Sequence, residues 1–252
     1  MLLSLTQSSF LGILPLMLML NLLQWEDVTS APVHHNEVYY DDMSLKDLFD
    51  QAIVLSKDTT TLTIEMRMIF FSNGFSSNMF RKIVLDFLKD QRHMAEALSS
   101  CHTFSLSIPE TMEEARKISL KDFLKIILSI LNAWNKPLYH LETELHRMKG
   151  APDALVVRAN AIRTLNGELI ETVMMMLRKV HPGMKEKNDY PLWKDLASLQ
   201  ATDKERQFLT LYKLFYCLRV DTFTVDLYLK HLMCTLYSGD ICNSVRFYQD
   251  PW

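Results

Sequence analysis

TDKERQFLTLYKLFYCLRVDTFTVDLYLKHLMCTLYSGDIC, residues 202–242, decides the fold. The stretch holds no Pro, and its one Gly, Gly239, stands where a helix would stop. Leu211, Phe215, Leu218, Thr222, Val225, Leu229, Leu232 and Leu236 recur at alternating spacings of four and three. That is the period of one apolar helix face, interrupted only by Thr222. Thr202 with Glu205 predicts a capping-box start. Cys217, Cys234 and Cys242 all fall in this stretch. A long closing helix, over about 203–237 and tied covalently to the rest of the chain, is the expectation.

Three more helices precede it. Ser44 with Asp47 opens one over 44–72, whose seam is Leu45, Leu48, Ala52, Leu55, Thr59, Leu62, Met66 and Ile69, ending at Asn73-Gly74. Ser119 with Asp122 opens a second over 119–148, with Leu120, Leu124, Ile127, Leu131, Trp134, Leu138, Leu141, Leu145 and Met148 on one face. Pro137 lies inside it and predicts a kink, because proline lacks the N–H and crowds the preceding turn. The joint Gly150-Ala151-Pro152 permits only an antiparallel turn into a third helix over 153–180, marked by Leu155, Ala159, Ile162, Leu169, Val173, Met176 and Val180. Met174, Met175 and Met176 read as filler of an irregular core rather than as a soft-metal site. The basic group Arg178, Lys179, His181, Lys185 and Lys187 complements the dipole at that helix's end.

Two connections are long. Phe75 to Ile118 contains a short amphipathic piece, Met79 to Lys89, and the segment CHTFSLSIPE around Cys101. His181 to Ala201 carries Tyr190-Pro191-Leu192-Trp193. Connections of this length let sequential helices run in the same direction. Long loop, short joint, long loop gives an all-α, up-up-down-down four-helix bundle of the long-chain cytokine type with two crossovers.

At 252 residues and 48% hydrophobic composition the chain buries a sizeable core, and a net charge of −3 gives no general drive toward nucleic acid. Residues 1–30 contain no Lys or Arg and include an apolar run from Phe10 to Leu23, too short to span a bilayer comfortably. With Val28 and Ser30 before Ala31, this reads as a cleaved secretory signal, leaving 31–252 as one extracellular domain. In that oxidising setting the four cysteines read as bridges. Cys234 and Cys242 flank Gly239 and can close a small loop, which leaves Cys101 for Cys217.

There is no G-x-S-x-G, P-loop, H-E-x-x-H or G-x-G-x-x-G, and no N-x-[ST] acceptor. The seam residues include no His, Asp or Glu that would aim a reactive group into a shielded pocket. No catalytic residue, metal or cofactor is expected, and the chain reads as a non-enzyme. His140 with Glu142 and Glu144, and His231 near Cys234, read as ordinary helix-surface pairs.

The chain resembles the prolactin branch of the somatotropin/prolactin hormones. The resemblance rests on SLKDLFDQAIVLS (44–56), CHTFSLSIPE (101–110), AWNKPLYHL (133–141), YPLWKDLASLQ (190–200) and CLRVDTFTVDLYLKHLMC (217–234), together with the cysteine spacing, which fits the family's two shared bridges. It is strongest toward divergent placental prolactin-like proteins of rodents. It implies a secreted, monomeric ligand that engages a single-pass class I cytokine receptor and signals through JAK kinases and STAT factors, in pregnancy.

The departures are as informative. No Cys precedes Cys101, so the further N-terminal bridge of prolactins is missing. Positions where prolactin-type recognition favours histidines carry Lys57, Thr60 and Phe223, while Asp226 is retained. Thr172 stands where the family has a small glycine against a second receptor. The tail NSVRFYQDPW continues past Cys242.

The expected recognition surface is the outer face of the last helix, with Tyr212, Tyr216, Arg219, Phe223, Asp226 and Lys230, joined by Lys57 and Thr60 of the first helix and by the first crossover. Aromatics interleaved with Arg have hot-spot chemistry. Two other readings accompany this one: a ligand that leaves the prolactin receptor inactive, and a carrier of apolar small molecules inside the bundle.

Overall fold

Ser44 begins the first helix of the computed structural model, which describes residues 43–89, 100–109, 111–183 and 190–237. Its hydroxyl accepts the Asp47 N–H while the Asp47 carboxylate takes the Ser44 N–H, the reciprocal cap the sequence implies. This helix, α1, runs Leu45–Ser72 and ends at Asn73. The Asn73 N–H still donates to the Ile69 carbonyl, and its side-chain oxygen accepts from the Phe75 N–H at 2.8 Å. One residue therefore closes α1 and opens α2, Gly74–Lys89. The helical part of the first crossover thus starts five residues earlier than the Met79–Lys89 piece read from the sequence.

The crossover continues through a 3₁₀ turn, His102–Ser105, and the short α3, Met112–Lys117. The second bundle helix is two segments, α4 (Leu120–Ala133) and α5 (Asn135–Arg147), parted at Trp134. The break lies one turn before Pro137, because the N–H that proline lacks would have bonded the carbonyl four residues back, that of Ala133. The Trp134 N–H instead closes on the Leu131 carbonyl at 3.1 Å.

Gly150, at φ 86°, turns the chain at the tight joint, a left-handed backbone that a side chain would strain. The next helix, α6, spans Asp153–Val180, with Arg178 and Lys179 in its last turn. After the four-residue α7, Leu196–Leu199, comes α8, Lys204–Leu236. Asp203, not Thr202, caps it, accepting the Glu205 N–H. A carboxylate is at least as good an N-cap as a threonine hydroxyl.

The observed spans follow the expected 44–72, 119–148, 153–180 and 203–237 within a residue or two. α1 packs along both α6 and α8, and α4 and α5 pack on α6, giving the all-α up-up-down-down four-helix bundle. The core takes the seam residues nearly as read, and Phe70, Phe208 and Phe215 join α1 to α8 with ring centroids 4.7 to 5.9 Å apart. Met174 and Met175 lie half-buried against that core. Leu236 departs from the seam: it is 42% exposed, so the buried stripe of α8 stops at Leu232 and Met233.

Candidate functional site

α8 has two flanks, one on either side of its core stripe. At 100° per residue, Cys217, Asp221 and Tyr228 return to one flank, and Tyr212, Tyr216, Arg219 and Phe223 to the other.

The first flank is strapped. Cys101 is bonded to Cys217, with Cα atoms 5.5 Å apart. Thr103 Oγ1 donates to Asp221 Oδ2 at 2.8 Å, and Trp134 Nε1 donates to the same oxygen at 2.7 Å. Farther along, the Tyr228 hydroxyl donates to the Pro109 carbonyl at 2.8 Å. Residues 101, 103 and 109 thus meet 217, 221 and 228 in turn, and the crossover runs beside α8 in its own direction.

His102 fills the gap that Pro137 makes. Its Nε2–H donates to the Ala133 carbonyl at 3.1 Å, the very group that the missing proline N–H leaves free. Burial holds the His102 pKa below its ordinary value, which suits a neutral ring donating from one nitrogen. The ring stands edge-on to Trp134 at 5.0 Å. Burial also pushes the Asp221 carboxyl up to about 6, against the opposing pull of its hydrogen bonds from Thr103 and Trp134. A cleft of about 410 Å³ lies outside this knot, walled by His102, Trp193, Asp195, Lys213 and Cys217.

The second flank faces outward beside α1. Tyr212 is half-buried with its ring 5.7 Å from that of Phe71, and the Arg67 guanidinium lies 5.5 Å from the Phe71 ring centroid. Tyr216 is also half-buried, and burial, with the neighbouring Tyr212, raises its phenol pKa. It is packed toward α1 rather than covered by the Cys101 strap, which runs on the opposite flank. Arg219 is exposed, and Phe223 is 48% exposed. Lys57 is exposed on α1, and the Thr60 hydroxyl donates to the carbonyls of Ser56 at 2.9 Å and Thr222 at 3.2 Å.

Three expected surface residues are placed differently. Asp226 is 8% exposed and holds α1 to α8, accepting from the Ser56 hydroxyl at 3.0 Å and from Lys230 Nζ at 2.6 Å. Lys230 is half-buried by that pairing rather than open. Thr172 is 1% exposed, on the same stripe of α6 as Leu169, Val173 and Met176. Its hydroxyl bonds back to the Glu168 carbonyl at 2.9 Å, which lets the methyl face the core. Thr172 therefore offers no side chain to an approaching partner.

The sequence reading missed Arg67 and Phe71. Their signal was present: they follow Thr60 on α1 by seven and eleven residues, at helical spacing on the Lys57–Thr60 side. It also missed the charged groups in the interior. Glu144, Asp221, Asp226 and His231 are all buried off the main seams. Glu144 is satisfied there by Gln200 Nε2 at 2.7 Å and Arg147 at 3.0 Å. Cys234 is disulfide-bonded, while its expected partner Cys242 lies outside the described residues, as do residues 1–30, Lys185, Lys187 and the tail after Cys242.

A family profile described as the Somatotropin hormone family matches residues 17–242. Prolactin-7C1 of Mus musculus is 77% identical over 251 residues, covering 100% of each chain. Prolactin-7B1 of Rattus norvegicus is 46% identical over 249 residues, covering 99% of this chain and 96% of its own. Prolactin-7D1 of Mus musculus is 45% identical over 244 residues, covering 97% and 99%.

Proposed function

Because the chain belongs to the somatotropin hormone family, a family of hormones rather than enzymes, we propose that it is a secreted prolactin-like hormone that binds a single-pass class I cytokine receptor of the prolactin-receptor type. On this reading it acts as a monomer and signals through JAK kinases and STAT factors in pregnancy. The observation that carries the proposal is the open α1–α8 flank, where Tyr212, Tyr216, Arg219 and Phe223 stand in one row beside Lys57 and Thr60. Aromatic rings and guanidinium groups beside a rigid core are the usual anchors of protein interfaces. The α2 part of the first crossover adjoins this flank, through Phe75 against Phe208 at 5.1 Å. No described helix is long and apolar enough to cross a membrane.

The bundle interior disfavours a carrier. The void bordered by Ile130, Leu138, Ile162, Leu169 and Val225 is about 10 Å³, barely room for one water. A second reading has a specific observation behind it. Lys57 and Phe223 are exposed where prolactin-type recognition favours histidines, so a ligand of this shape that leaves that receptor inactive fits the same face.

Titrating the mature protein against a soluble prolactin-receptor ectodomain separates the readings. Saturable binding with receptor dimerisation is the expected result. One-to-one binding without dimerisation marks an antagonist, and no binding at micromolar protein redirects the search to another cell-surface or matrix partner.

A further inference from the structure

The cleft on the strapped flank is walled by both crossovers and by α8, and each wall is tied in place. Cys101 carries the first crossover onto Cys217. Lys213, about one turn before Cys217 on the same face of α8, pairs with Asp195 of the second crossover at 3.1 Å. The end of that crossover is held again by Arg206 Nε on the Ser198 hydroxyl at 3.1 Å and by Gln207 Nε2 on the Leu199 carbonyl at 2.9 Å. Walls fixed before a ligand enters leave less ordering for binding to supply. The cleft volume of about 410 Å³ falls within the range of roughly 300–1,000 Å³ typical of small-molecule sites.

Its lining mixes one aromatic wall with paired charges. Trp193 lines the cleft, and its ring lies 6.2 Å from that of His140 of α5 at an interplanar angle of 31°, a support that backs the indole. The Lys213–Asp195 pair sets an ammonium donor beside a carboxylate acceptor, with side chains 25% and 40% exposed, so both still reach a ligand. These features sort the ligand classes. A hydrocarbon would strip water from both charges and return no hydrogen bond. An anion would compete with Asp195 for Lys213, and Lys194 on the same wall is exposed, where salt screens its charge. A neutral polyol gains from both members at once. One hydroxyl donates to the carboxylate while its neighbour accepts from the ammonium, each bond charge-assisted.

We propose that this cleft is a saccharide site, in which Asp195 and Lys213 hold two adjacent hydroxyls of a neutral pyranose and Trp193 packs against the C–H face of its ring. The ligand is an uncharged hexose, either free or at the end of a glycan chain. An aromatic ring buries the apolar side of such a sugar while the paired charges take its polar edge. The site uses no residue of the Tyr212–Phe223 row, so it stands whether or not that row meets a receptor. With both flanks occupied, one molecule would be held on cell-surface or matrix glycans while presenting its open face.

The test titrates the intact, isotope-labelled mature protein with mannose, galactose and N-acetylglucosamine, each as the free sugar and as its methyl glycoside, and with indole-3-acetate as an aromatic anion. The site predicts saturable binding of at least one sugar, with a dissociation constant on the order of 1 mM for so small a ligand, and a shift of the Trp193 indole N–H signal. Asp195→Ala and Lys213→Met should each weaken that binding about tenfold, and Trp193→Ala should abolish it, each variant first checked for wild-type helical circular dichroism. Should Trp193→Ala fail to fold, the other two decide. Equal binding of a sugar and its methyl glycoside upholds the site as one for chain ends, and binding of the free sugar alone upholds it as one for free hexose. No saturable binding by any sugar at ten times the expected constant overturns the proposal, as does sugar binding that survives the substitutions. Binding of indole-3-acetate with none of the sugars overturns it in favour of an aromatic anion. The receptor titration is read separately, on the other flank.

Discussion

The two flanks of α8 have opposite chemistry within one helix. On the strapped flank the polar groups facing the crossover are matched inside the chain: Asp221 by Thr103 and Trp134, Tyr228 by the Pro109 carbonyl, the freed Ala133 carbonyl by His102. On the open flank the Arg67 guanidinium stands over the Phe71 ring, which in turn packs against Tyr212, and among the described residues Arg67 forms no ion pair. The first flank fixes where α8 sits against the crossover and the broken second helix. The second is a row of half-buried and exposed side chains on the outside of the same helix. On the proposed reading, stability and recognition are separated by about half a turn of helix.

The separation can be broken most severely at the disulfide. Replacing Cys101 and Cys217 together by Ser releases a loop with a sequence separation of 116. The chain-entropy model puts such a bridge at about 4–5 kcal/mol. Urea denaturation should show a loss of that order, with Tyr212, Tyr216 and Arg219 unaffected as binding residues in whatever fraction stays folded. A loss below about 1 kcal/mol would mean that packing, not the bridge, holds the strap.

Asp221 gives the next largest effect, and its sign is informative. The folded carboxyl titrates at about 6, against an ordinary 3.8, so the folded chain binds the extra proton between those values. Its contribution to stability therefore increases as pH falls from about 6 to about 4, and the burial cost is present in full above 6. The shift corresponds to about 3 kcal/mol. Asp221→Asn should be more stable than wild type at pH 7, and that advantage should shrink or vanish by pH 4. Parallel stability curves for the two proteins would show that Asp221 is already neutral, or better solvated than its burial implies.

Much of this architecture was legible in the sequence, because helix seams and caps are local signals. Ser44, Ser119 and Gly150 do locally what their types predict. The Trp134 break was readable as a kink at Pro137, but its place and its repair depend on His102, which is over thirty residues away in the chain. The site was less legible. Tyr212, Arg219 and Phe223 lie on a helix face that periodicity can assign, but Asp226 sits at the border of that face, where packing by a neighbouring helix decides burial, and Thr172 lies on the core stripe of α6. Arg67 was overlooked because nothing in its own helix shows that its nearest acid, Glu65, is engaged by α6.

Tyr228 tests the strap's far end with a smaller change. Tyr228→Phe removes one hydroxyl and leaves the Pro109 carbonyl without that donor. The expected loss is about 1 kcal/mol, the ordinary net value of one such bond plus part of the acceptor's desolvation. Amide hydrogen exchange should rise in residues 101–109 while α1 is unchanged. Faster exchange throughout the bundle would mean that the strap and the helices open together.

The smallest expected effect is the sharpest check on the open flank. Phe223 is 48% exposed, so Phe223→Ala removes little buried apolar surface and should change stability by less than about 0.5 kcal/mol. The same substitution should weaken partner binding by about tenfold or more if the ring is an interface anchor. A drop in stability above about 1 kcal/mol would place Phe223 with the packed residues of α8 and shift the boundary between the flanks toward Arg219. Unchanged stability with unchanged binding would keep the boundary and confine recognition to the Tyr212–Tyr216–Arg219 end, where Arg67 stands opposite.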